Sequence, residues 1–296
     1  MSSTSTFRTA IVPAAGLGTR FLPTTKTVPK ELLPVVDTPG IELVAAEAAE
    51  AGAARLVIVT SPDKRAVVDH FRPRPDLEAT LEERGKTALL DKVRRAPGLI
   101  DVDVAIQDQA LGLGHAVGCA ESSLDGQDEA VAVLLPDDLV LPTGALRAMA
   151  RVREEFGGSV LLALDLPREE VSAYGVFDVE PTGEQDVLRV KGMVEKPRPE
   201  EAPSTYAAAG RYLLDRAVFD ALRRITPGAG GELQLTDAIA LLIEEGHPVH
   251  VLVHRGSRHD LGNPGGFLRA AVDFALENPE YGPGLREWLR ERVTEV

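Results

Sequence analysis

Hydrophobic and polar positions in the first 165 residues form short blocks that predict strands and helices in turn. Buried strands are predicted where apolar residues run together or alternate with polar ones, at 9–13, 55–60, 101–107, 131–136 and 159–164. Helical spacing of apolar residues occurs between these strands, at 39–52, 76–95 and 142–156. This alternation predicts an α/β fold with a doubly wound, mainly parallel, Rossmann-like mixed sheet that is flanked by helices.

The pattern changes after residue 170. Three strand-like segments follow with few helices between them, at 175–180, 188–195 and 206–214. We expect these strands to form an antiparallel or mixed, β-rich extension of the sheet. Helical patterns complete the chain, at 234–245, 263–277 and 284–293. Because no internal repeat is visible, residues 1–296 are interpreted as a single domain.

Composition narrows the class of protein. The 296 residues are 44% hydrophobic and 26% charged, a balance that is typical of a globular protein with a substantial core. The single cysteine, Cys119, cannot form an internal disulfide. Residues 1–8 lack the apolar stretch of a secretion signal, and no apolar run is long enough to span a membrane. We therefore expect a cytoplasmic protein that has no membrane partner.

The formal net charge of −14 at pH 7 disfavours a nucleic-acid partner, because binding a duplex usually requires a basic face. A protein this acidic can bind phosphates only where positive charge is concentrated locally. The loop after the first predicted strand provides such a place, with Gly16, Gly18, Arg20 and Lys30. Small residues let backbone N–H groups approach a triphosphate, and the two cations can hold its oxygens. On the two glycines alone, a flexible loop with solvated cations is an equally good interpretation.

Two common phosphate-binding motifs do not fit this loop. The dinucleotide fingerprint requires a third glycine at position 21, which is Phe21. The P-loop requires G-x-x-x-x-G-K-[ST], and the G-K-T triplet at 85–87 has Thr80 in place of the first glycine. The loop therefore belongs to another class of phosphate site.

The segment 16–39, GLGTRFLPTTKTVPKELLPVVDTP, resembles the signature of the nucleoside-diphosphate-sugar pyrophosphorylases, and the resemblance covers about residues 9–278. Three further segments resemble the branch of this family that uses UTP and glucose 1-phosphate, namely 76–95, 112–121 and 228–242. The resemblance implies transfer of the uridylyl group of UTP to glucose 1-phosphate with Mg²⁺, giving UDP-glucose and pyrophosphate. It divides the chain into a nucleotide-binding part (9–165), a sugar-binding part (166–262) and C-terminal helices (263–296).

The resemblance also implies roles for single residues of the phosphate loop. Contacts with the nucleotide are expected from small residues, namely Ala14, Ala15, Gly16, Gly18 and Thr19. Catalytic roles are expected for three cations, namely Arg20 and Lys30 of this loop and Lys196 outside it. These positive groups would offset the repulsion between two anionic substrates.

Gln107 ends a predicted strand, and Gly112 follows in a short loop. An amide side chain can pair with the donor and acceptor edge of uracil, although an isolated glutamine is more often only a polar strand end. The resemblance implies that Gln107 and Gly112 contact the base. His115 is interpreted as a structural residue at the start of a helix, because transfer to a phosphate nucleophile needs no imidazole.

Asp137 and Asp138 follow the most apolar predicted strand, at the edge of the sheet where open α/β folds bind their ligands. A carboxylate there can hold Mg²⁺ together with substrate phosphates, although helix capping and turns are also typical roles of aspartate. The resemblance implies that Asp137 is a metal ligand and that Asp138 is not. It implies a second acidic ligand at Asp260.

Gly175 begins one predicted strand, and Glu195 and Lys196 end another. From the residues alone, a surface ion pair is a common alternative for the last two. The resemblance implies that Gly175 and Glu195 contact the sugar, and that Lys196 lies by the sugar phosphate.

The implied reaction is an in-line attack by a phosphate oxygen of glucose 1-phosphate on the α-phosphorus of UTP. A phosphate monoester has its second pKa at about 6, so it is largely dianionic at neutral pH and needs no general base. Three alternatives stay open: a thymidylyltransferase or another sugar-1-phosphate nucleotidylyltransferase, a glycosyltransferase, and a non-catalytic nucleotide-sugar binding protein. We further expect a homo-oligomer, either a dimer or a tetramer.

Overall fold

The computed structural model describes residues 7–294 as a mixed α/β fold. The strands are β1 (Thr9–Pro13), β2 (Pro34–Val35), β3 (Thr38–Pro39), β4 (Arg55–Thr60), β5 (Asp101–Ile106), β6 (Ala130–Leu134), β7 (Asp138–Leu141), β8 (Ser159–Asp165), β9 (Gly175–Pro181), β10 (Val187–Glu195), β11 (Tyr206–Asp215), β12 (Val249–Val253) and β13 (Ser257–Asp260). The helices are α1 (Gly40–Glu50), α2 (Arg65–Asp69), α3 (Pro75–Glu83), α4 (Thr87–Leu99), α5 (Leu113–Cys119), α6 (Ala145–Phe156), α7 (Val218–Leu222), α8 (Leu235–Glu244), α9 (Pro264–Glu277) and α10 (Gly282–Thr294). None of the helices within residues 7–294 has the length and apolar character needed to cross a membrane.

The main sheet has the strand order β5-β4-β1-β6-β11-β8-β12-β10-β9. The first four strands of this order are parallel to one another, and so are β8 and β12. β11 lies between these two groups and is antiparallel to both β6 and β8. The expected mainly parallel sheet is therefore parallel only within each group, because a strand from the later β-rich segment is inserted between them.

The second half of the sheet closes on itself. β9 is antiparallel to β10, and it also pairs with β11 where Val176 meets Ala207. β11, β8, β12, β10 and β9 thus form a small closed ring. The sequence pattern does not predict this closure, because pairing between distant strands leaves no mark on hydrophobic periodicity.

Two hydrophobic cores cover the two faces of the sheet. Along β1, Ala10 and Val12 point into one core with side chains of α1, α4 and α6. Ile11, the residue between them, points into the other core with side chains of α5, α7 and α8. This alternation follows the two-residue period of a strand. Helices packed on both faces therefore fix the strand ends from which the candidate site is built.

Glycines account for two differences between the predicted and observed helices. The helix predicted at 76–95 is two helices, because Gly85 adopts a φ of 65° at the end of α3. The helix predicted at 142–156 begins only at residue 145, after Gly144 with a φ of 95°. The sequence pattern does not predict β12, because this short run directly follows Pro248 and is interrupted by His250.

Candidate active site

The carboxyl ends of the four parallel strands lie side by side at one edge of the sheet. β1 leads into the glycine-rich loop, β4 leads to Lys64, β5 to Gln107 and β6 to Asp137. Because parallel strands end at the same edge, residues far apart in the sequence meet there. The structure thus brings the predicted nucleotide-side residues to one edge of the sheet.

The glycine-rich loop folds into three short 3-10 turns, at 19–21, 24–26 and 30–32. Gly18 has a left-handed φ of 65°, and a Cβ added there would lie only 3.1 Å from the Cβ of Lys30. The hydroxyl of Thr25 donates to the Gly18 carbonyl over 2.7 Å. Gly16 is exposed, and a Cβ added there would meet no atom within 4 Å. Glycine is therefore required at position 18 by backbone and packing, whereas the backbone of Gly16 is open to a ligand.

The other predicted loop contacts differ in how accessible they are. Ala14 is buried, and its N–H donates to the Val59 carbonyl over 2.7 Å. This bond ties the start of the loop to β4 and leaves the Ala14 N–H unable to bind a nucleotide. Ala15 is half-buried, and Thr19 and Arg20 are exposed. Ala14 thus anchors the loop, and the accessible positions follow it.

Two carboxylates and two cations converge at Gly262. Lys30 Nζ forms an ion pair with Asp137 Oδ2. A Cβ added at Gly262 would lie 2.8 Å from Asp260 Oδ1, 3.4 Å from Asp137 Oδ2 and 3.5 Å from Arg20 Nη1. Arg20 Nη1 also donates to the Gly262 carbonyl over 3.3 Å. Predicted residues from three separate segments therefore share one small space.

The donor atoms in this space suit a divalent cation. The Asp260 carboxylate is oriented by the Gly262 N–H and by Asn263 Nδ2, each at 2.7 Å. Asp137 is partly exposed beside it. Within residues 7–294, no three His, Cys, Asp or Glu side chains form a group that could enclose a metal. Two carboxylates fit a hard cation that completes its oxygen shell with water and substrate phosphates.

Lys64 holds the phosphate loop from the side of β4, and the sequence analysis did not identify it. Its Nζ donates to the carbonyls of Ala14 and Gly16, both at 2.7 Å, and to the Glu31 carboxylate at 2.8 and 3.0 Å. The Lys64 and Glu31 side chains are only 12% and 1% exposed. Burial raises the pKa of Glu31 and lowers the pKa of Lys64, and their mutual attraction opposes both shifts. The buried pair therefore holds the loop in place, because Lys64 binds the carbonyls of Ala14 and Gly16.

Gln107 lies at the end of β5 and is only 7% exposed. Its Nε2 lies 3.2 Å from the Gly112 carbonyl and 3.0 Å from His115 Nδ1. Gly112 has a φ of 105°, and a Cβ there would lie 2.8 Å from the Leu233 carbonyl oxygen. The same carbonyl accepts from the Gly114 N–H over 2.8 Å. The two glycines thus allow the loop to pack closely against the chain just before α8.

Gly175 and Glu195 face each other across β9 and β10. A Cβ at Gly175 would lie 3.2 Å from both Glu195 Oε2 and Thr236 Oγ1. Thr236 donates to Glu195 Oε2 over 2.7 Å, and Lys196 Nζ lies 3.0 Å from Glu195 Oε1. Lys196 adopts a φ of 46°, and its N–H donates to the Tyr174 carbonyl. Because the backbone turns at Lys196, the Lys196 ammonium group reaches the carboxylate of the preceding residue, Glu195. The sequence analysis did not identify Thr236.

Asp138 has surroundings quite different from those of Asp137. It is 4% exposed, and Arg258 donates to its carboxylate at 2.8 and 3.0 Å. Burial raises the pKa of Asp138, and the bonds from Arg258 oppose this shift. Arg258 also donates to the Tyr174 hydroxyl over 2.7 Å. Asp138 is thus committed to a buried ion pair that links β7 and β13 to the residue before Gly175.

A mixed α/β sheet with a cationic, glycine-rich loop at its carboxyl edge defines a class of proteins that handle phosphate groups. A family model described as nucleotidyl transferase matches residues 9–277. The chain therefore belongs to the nucleotidyl transferase family, and the family predicted from the loop signature is confirmed.

Known proteins resemble this chain over nearly its whole length. The UTP–glucose-1-phosphate uridylyltransferase of Bacillus subtilis (strain 168) is 45% identical to it, over 92% of each chain. The UTP-bound UGPase from Acinetobacter baumannii is 36% identical with a TM-score of 0.88, covering 96% of this chain and 99% of that one. A UDP-glucose pyrophosphorylase in complex with UDP-glucose is 34% identical with a TM-score of 0.81, covering 92% of this chain and 100% of that one.

Proposed function

We propose that this chain transfers the uridylyl group of UTP to glucose 1-phosphate, giving UDP-glucose and pyrophosphate. One observation carries the proposal: Arg20, Lys30, Asp137 and Asp260 converge at the carboxyl edge of the sheet. The chain has this arrangement together with 45% identity to a UTP–glucose-1-phosphate uridylyltransferase. We also propose that the reaction takes place in the cytoplasm and that the enzyme is a homo-oligomer, either a dimer or a tetramer.

The nucleotide-binding part comprises residues 9–165, and its four parallel strands act as a doubly wound, Rossmann-like unit. The triphosphate lies against the accessible stretch of the glycine-rich loop, namely Ala15, Gly16, Gly18 and Thr19. Ala14 acts through its bond to β4, which holds the loop in place. Gln107 and Gly112 lie at the neighbouring strand end, where they contact the uracil ring.

The sugar-binding part comprises residues 166–262, and residues 263–296 are the C-terminal helices. The Glu195 carboxylate accepts hydrogen bonds from glucose hydroxyls, and Thr236 and Lys196 hold it in place. A Cβ at Gly175 would lie 2.6 Å from the Met193 side chain and 3.2 Å from the Glu195 carboxylate, so only glycine lets the backbone approach this carboxylate so closely. Lys196 is itself half-exposed, so its ammonium group can move to the sugar phosphate.

The phosphate dianion of glucose 1-phosphate is the nucleophile, and it attacks the α-phosphorus of UTP as the bond to pyrophosphate breaks. Arg20 and Lys30 supply positive charge where the two anions meet. Asp137 and Asp260 are the residues that hold a divalent metal, which we propose is Mg²⁺. The metal supplies charge neutralisation for the phosphate groups when it is bound. Lys30 holds the Asp137 carboxylate in place through their ion pair.

Pyrophosphate release from UTP and glucose 1-phosphate tests the proposal. We expect release with UTP to exceed release with dTTP, and both to exceed release with ATP or GTP. Arg20→Met should abolish most of this activity, whereas the exposed Lys86→Met on the α3–α4 turn serves as a control. Equal or better turnover of dTTP would favour a thymidylyltransferase. No pyrophosphate from any pair would favour a glycosyltransferase or a binding protein instead.

A further inference from the structure

The loop after β5 fixes the orientation of the Gln107 amide as well as its position. The carbonyl of Gly112, at the start of α5, accepts the Ala116 N–H over 3.1 Å and faces Gln107 Nε2 at 3.2 Å. A backbone carbonyl is only an acceptor. The group facing it must therefore be the NH₂ of Gln107, because the reversed amide would place two oxygens against each other.

The second amide hydrogen goes to His115. Its Nδ1 lies 3.0 Å from Gln107 Nε2, which is already established as a donor. Nδ1 must therefore be the acceptor, so the neutral ring carries its hydrogen on Nε2. The Sγ of Cys119, four residues further along α5, lies 3.8 Å from His115 Nε2 and is a weak acceptor for that hydrogen.

Gln107 is left with one polar atom to offer, its Oε1. In the part of the chain that the structure describes, no group donates a hydrogen bond to this oxygen. It is also absent from the buried polar atoms that lack a partner there, so it reaches a solvent-accessible surface. The residue thus presents an acceptor, and not the interchangeable donor and acceptor that a free amide would offer.

We propose that His115 is a positioning residue for base selection, which together with Gly112 locks Gln107 so that Oε1 faces the base as an acceptor. This inference rests on the proposed function. Uracil carries a hydrogen on N3, whereas the N3 of cytosine is an acceptor. The locked amide therefore accepts from the N3–H of uracil and repels the N3 lone pair of cytosine. Because the Gln107 amide cannot flip, the enzyme selects UTP over CTP.

Two substitutions of His115 test the lock. Leucine has a similar volume but no acceptor, whereas asparagine can place Oδ1 where Nδ1 lies. We expect His115→Leu to lower the ratio of kcat/KM for UTP to kcat/KM for CTP by about tenfold, with little change in the KM for glucose 1-phosphate. His115→Asn should keep the ratio within about twofold of the wild type.

Three outcomes would overturn the proposal: an unchanged ratio in an active His115→Leu enzyme, an equal loss in both variants, or equal turnover of UTP and CTP by the wild type. The side-chain amide of Gln107 gives a readout that does not depend on activity. In ¹⁵N–¹H spectra of the whole enzyme, its two hydrogens should exchange slowly with water, and His115→Leu should speed exchange of one. If the Gln107 amide hydrogens exchange slowly but no pyrophosphate is released, the fixed amide is supported and the proposed function is contradicted.

Discussion

At the scale of single residues, Asp137 and Asp138 are neighbours with different tasks. Asp137 pairs with Lys30 near Asp260, whereas Asp138 is buried against Arg258. We expect Asp137→Asn to lower kcat by about 100- to 1000-fold at an unchanged melting temperature, because it removes charge only at the site. Asp138→Asn should instead lower the melting temperature and leave most of the kcat, because it leaves the buried guanidinium without its counter-charge.

Steady-state pyrophosphate release and thermal denaturation of both variants check this pair of expectations. If Asp138→Asn lost most of its kcat and kept the melting temperature of the wild type, Asp138 and not Asp137 would be the residue that acts in the site.

Lys64 offers a second residue-scale prediction. Lys64→Met removes the donor that the loop carbonyls of Ala14 and Gly16 share, and it leaves Glu31 buried without a partner. We expect a rise of about tenfold in the KM for UTP, because a loosened loop presents its N–H groups poorly. The KM for glucose 1-phosphate should change little. Kinetics that show an equal rise for both substrates would instead indicate general loss of structure, and Lys86→Met is the matched control.

The sequence predicted site residues only where a recognisable signature contained them. Arg20 and Lys30 lie in the glycine-rich signature, and Asp137 and Asp260 lie in segments that could be aligned with the family. Lys64 could not be identified in this way, because its contact with Ala14 spans 50 positions. Thr236 lies inside the resembling segment 228–242, but its partner Glu195 is 41 positions away, and nothing local distinguishes it from other helical threonines.

At the scale of elements, Glu42 holds α1 together with the end of α2 and with α4. Its carboxylate is 2.8 Å from His70 Nε2, and Arg95 Nε donates to its other oxygen. Burial raises the pKa of Glu42, but the bonds from His70 and Arg95 outweigh it, so the pKa lies below its usual value of 4.5. The resulting stability is present above pH 4.5 and is lost as the pH falls through the folded-state pKa.

Glu42→Gln should therefore lower the free energy of unfolding by about 2 kcal/mol at neutral pH. The difference from the wild type should shrink as the pH is lowered, because the wild-type carboxylate then loses its charge too. Urea denaturation across this pH range measures both. A difference that is independent of pH would show that packing, and not the charge of Glu42, provides the stability.

Elements with a strong periodic signal were predicted well, and those that depend on tertiary pairing were not. The bounds predicted for β1 and β4 agree with the observed ones, because each strand contains an unbroken apolar run. β12 became a strand because it pairs with β8 along all five of its residues, despite a weak local pattern. The break between α3 and α4 depends on the backbone of Gly85, which a count of apolar positions does not register.

At the scale of the whole molecule, β11 joins the two halves of the sheet. It bonds to β6 on the nucleotide side and to β8 on the other, so both proposed substrate sites are built on one continuous sheet. A nucleotide bound at the carboxyl edge should therefore stabilise the entire chain. UTP at about 100 times its Kd should add about 2.7 kcal/mol to the free energy of unfolding.

This stabilisation should raise the melting temperature by about 5 °C. ATP at the same concentration should raise it much less, because a purine does not fit a pocket for uracil. Differential scanning calorimetry compares the two ligands. Equal shifts would mean that the protein recognises the triphosphate alone.

The pairing of β9 with β11 also bears on how copies of this chain avoid aggregation. Among the nine strands of the sheet within residues 7–294, only β5 has a neighbour on one side alone. Unpaired strand edges recruit other chains, and charged side chains on the edge discourage this. β5 carries the exposed Asp101 at its start, whereas the exposed Asp103 is paired with Arg55 of β4 over 3.5 Å. The charge of Asp101, which is unpaired within residues 7–294, disfavours burial of this edge against a second copy, so the sheet can remain open at one edge without adding strands from another molecule.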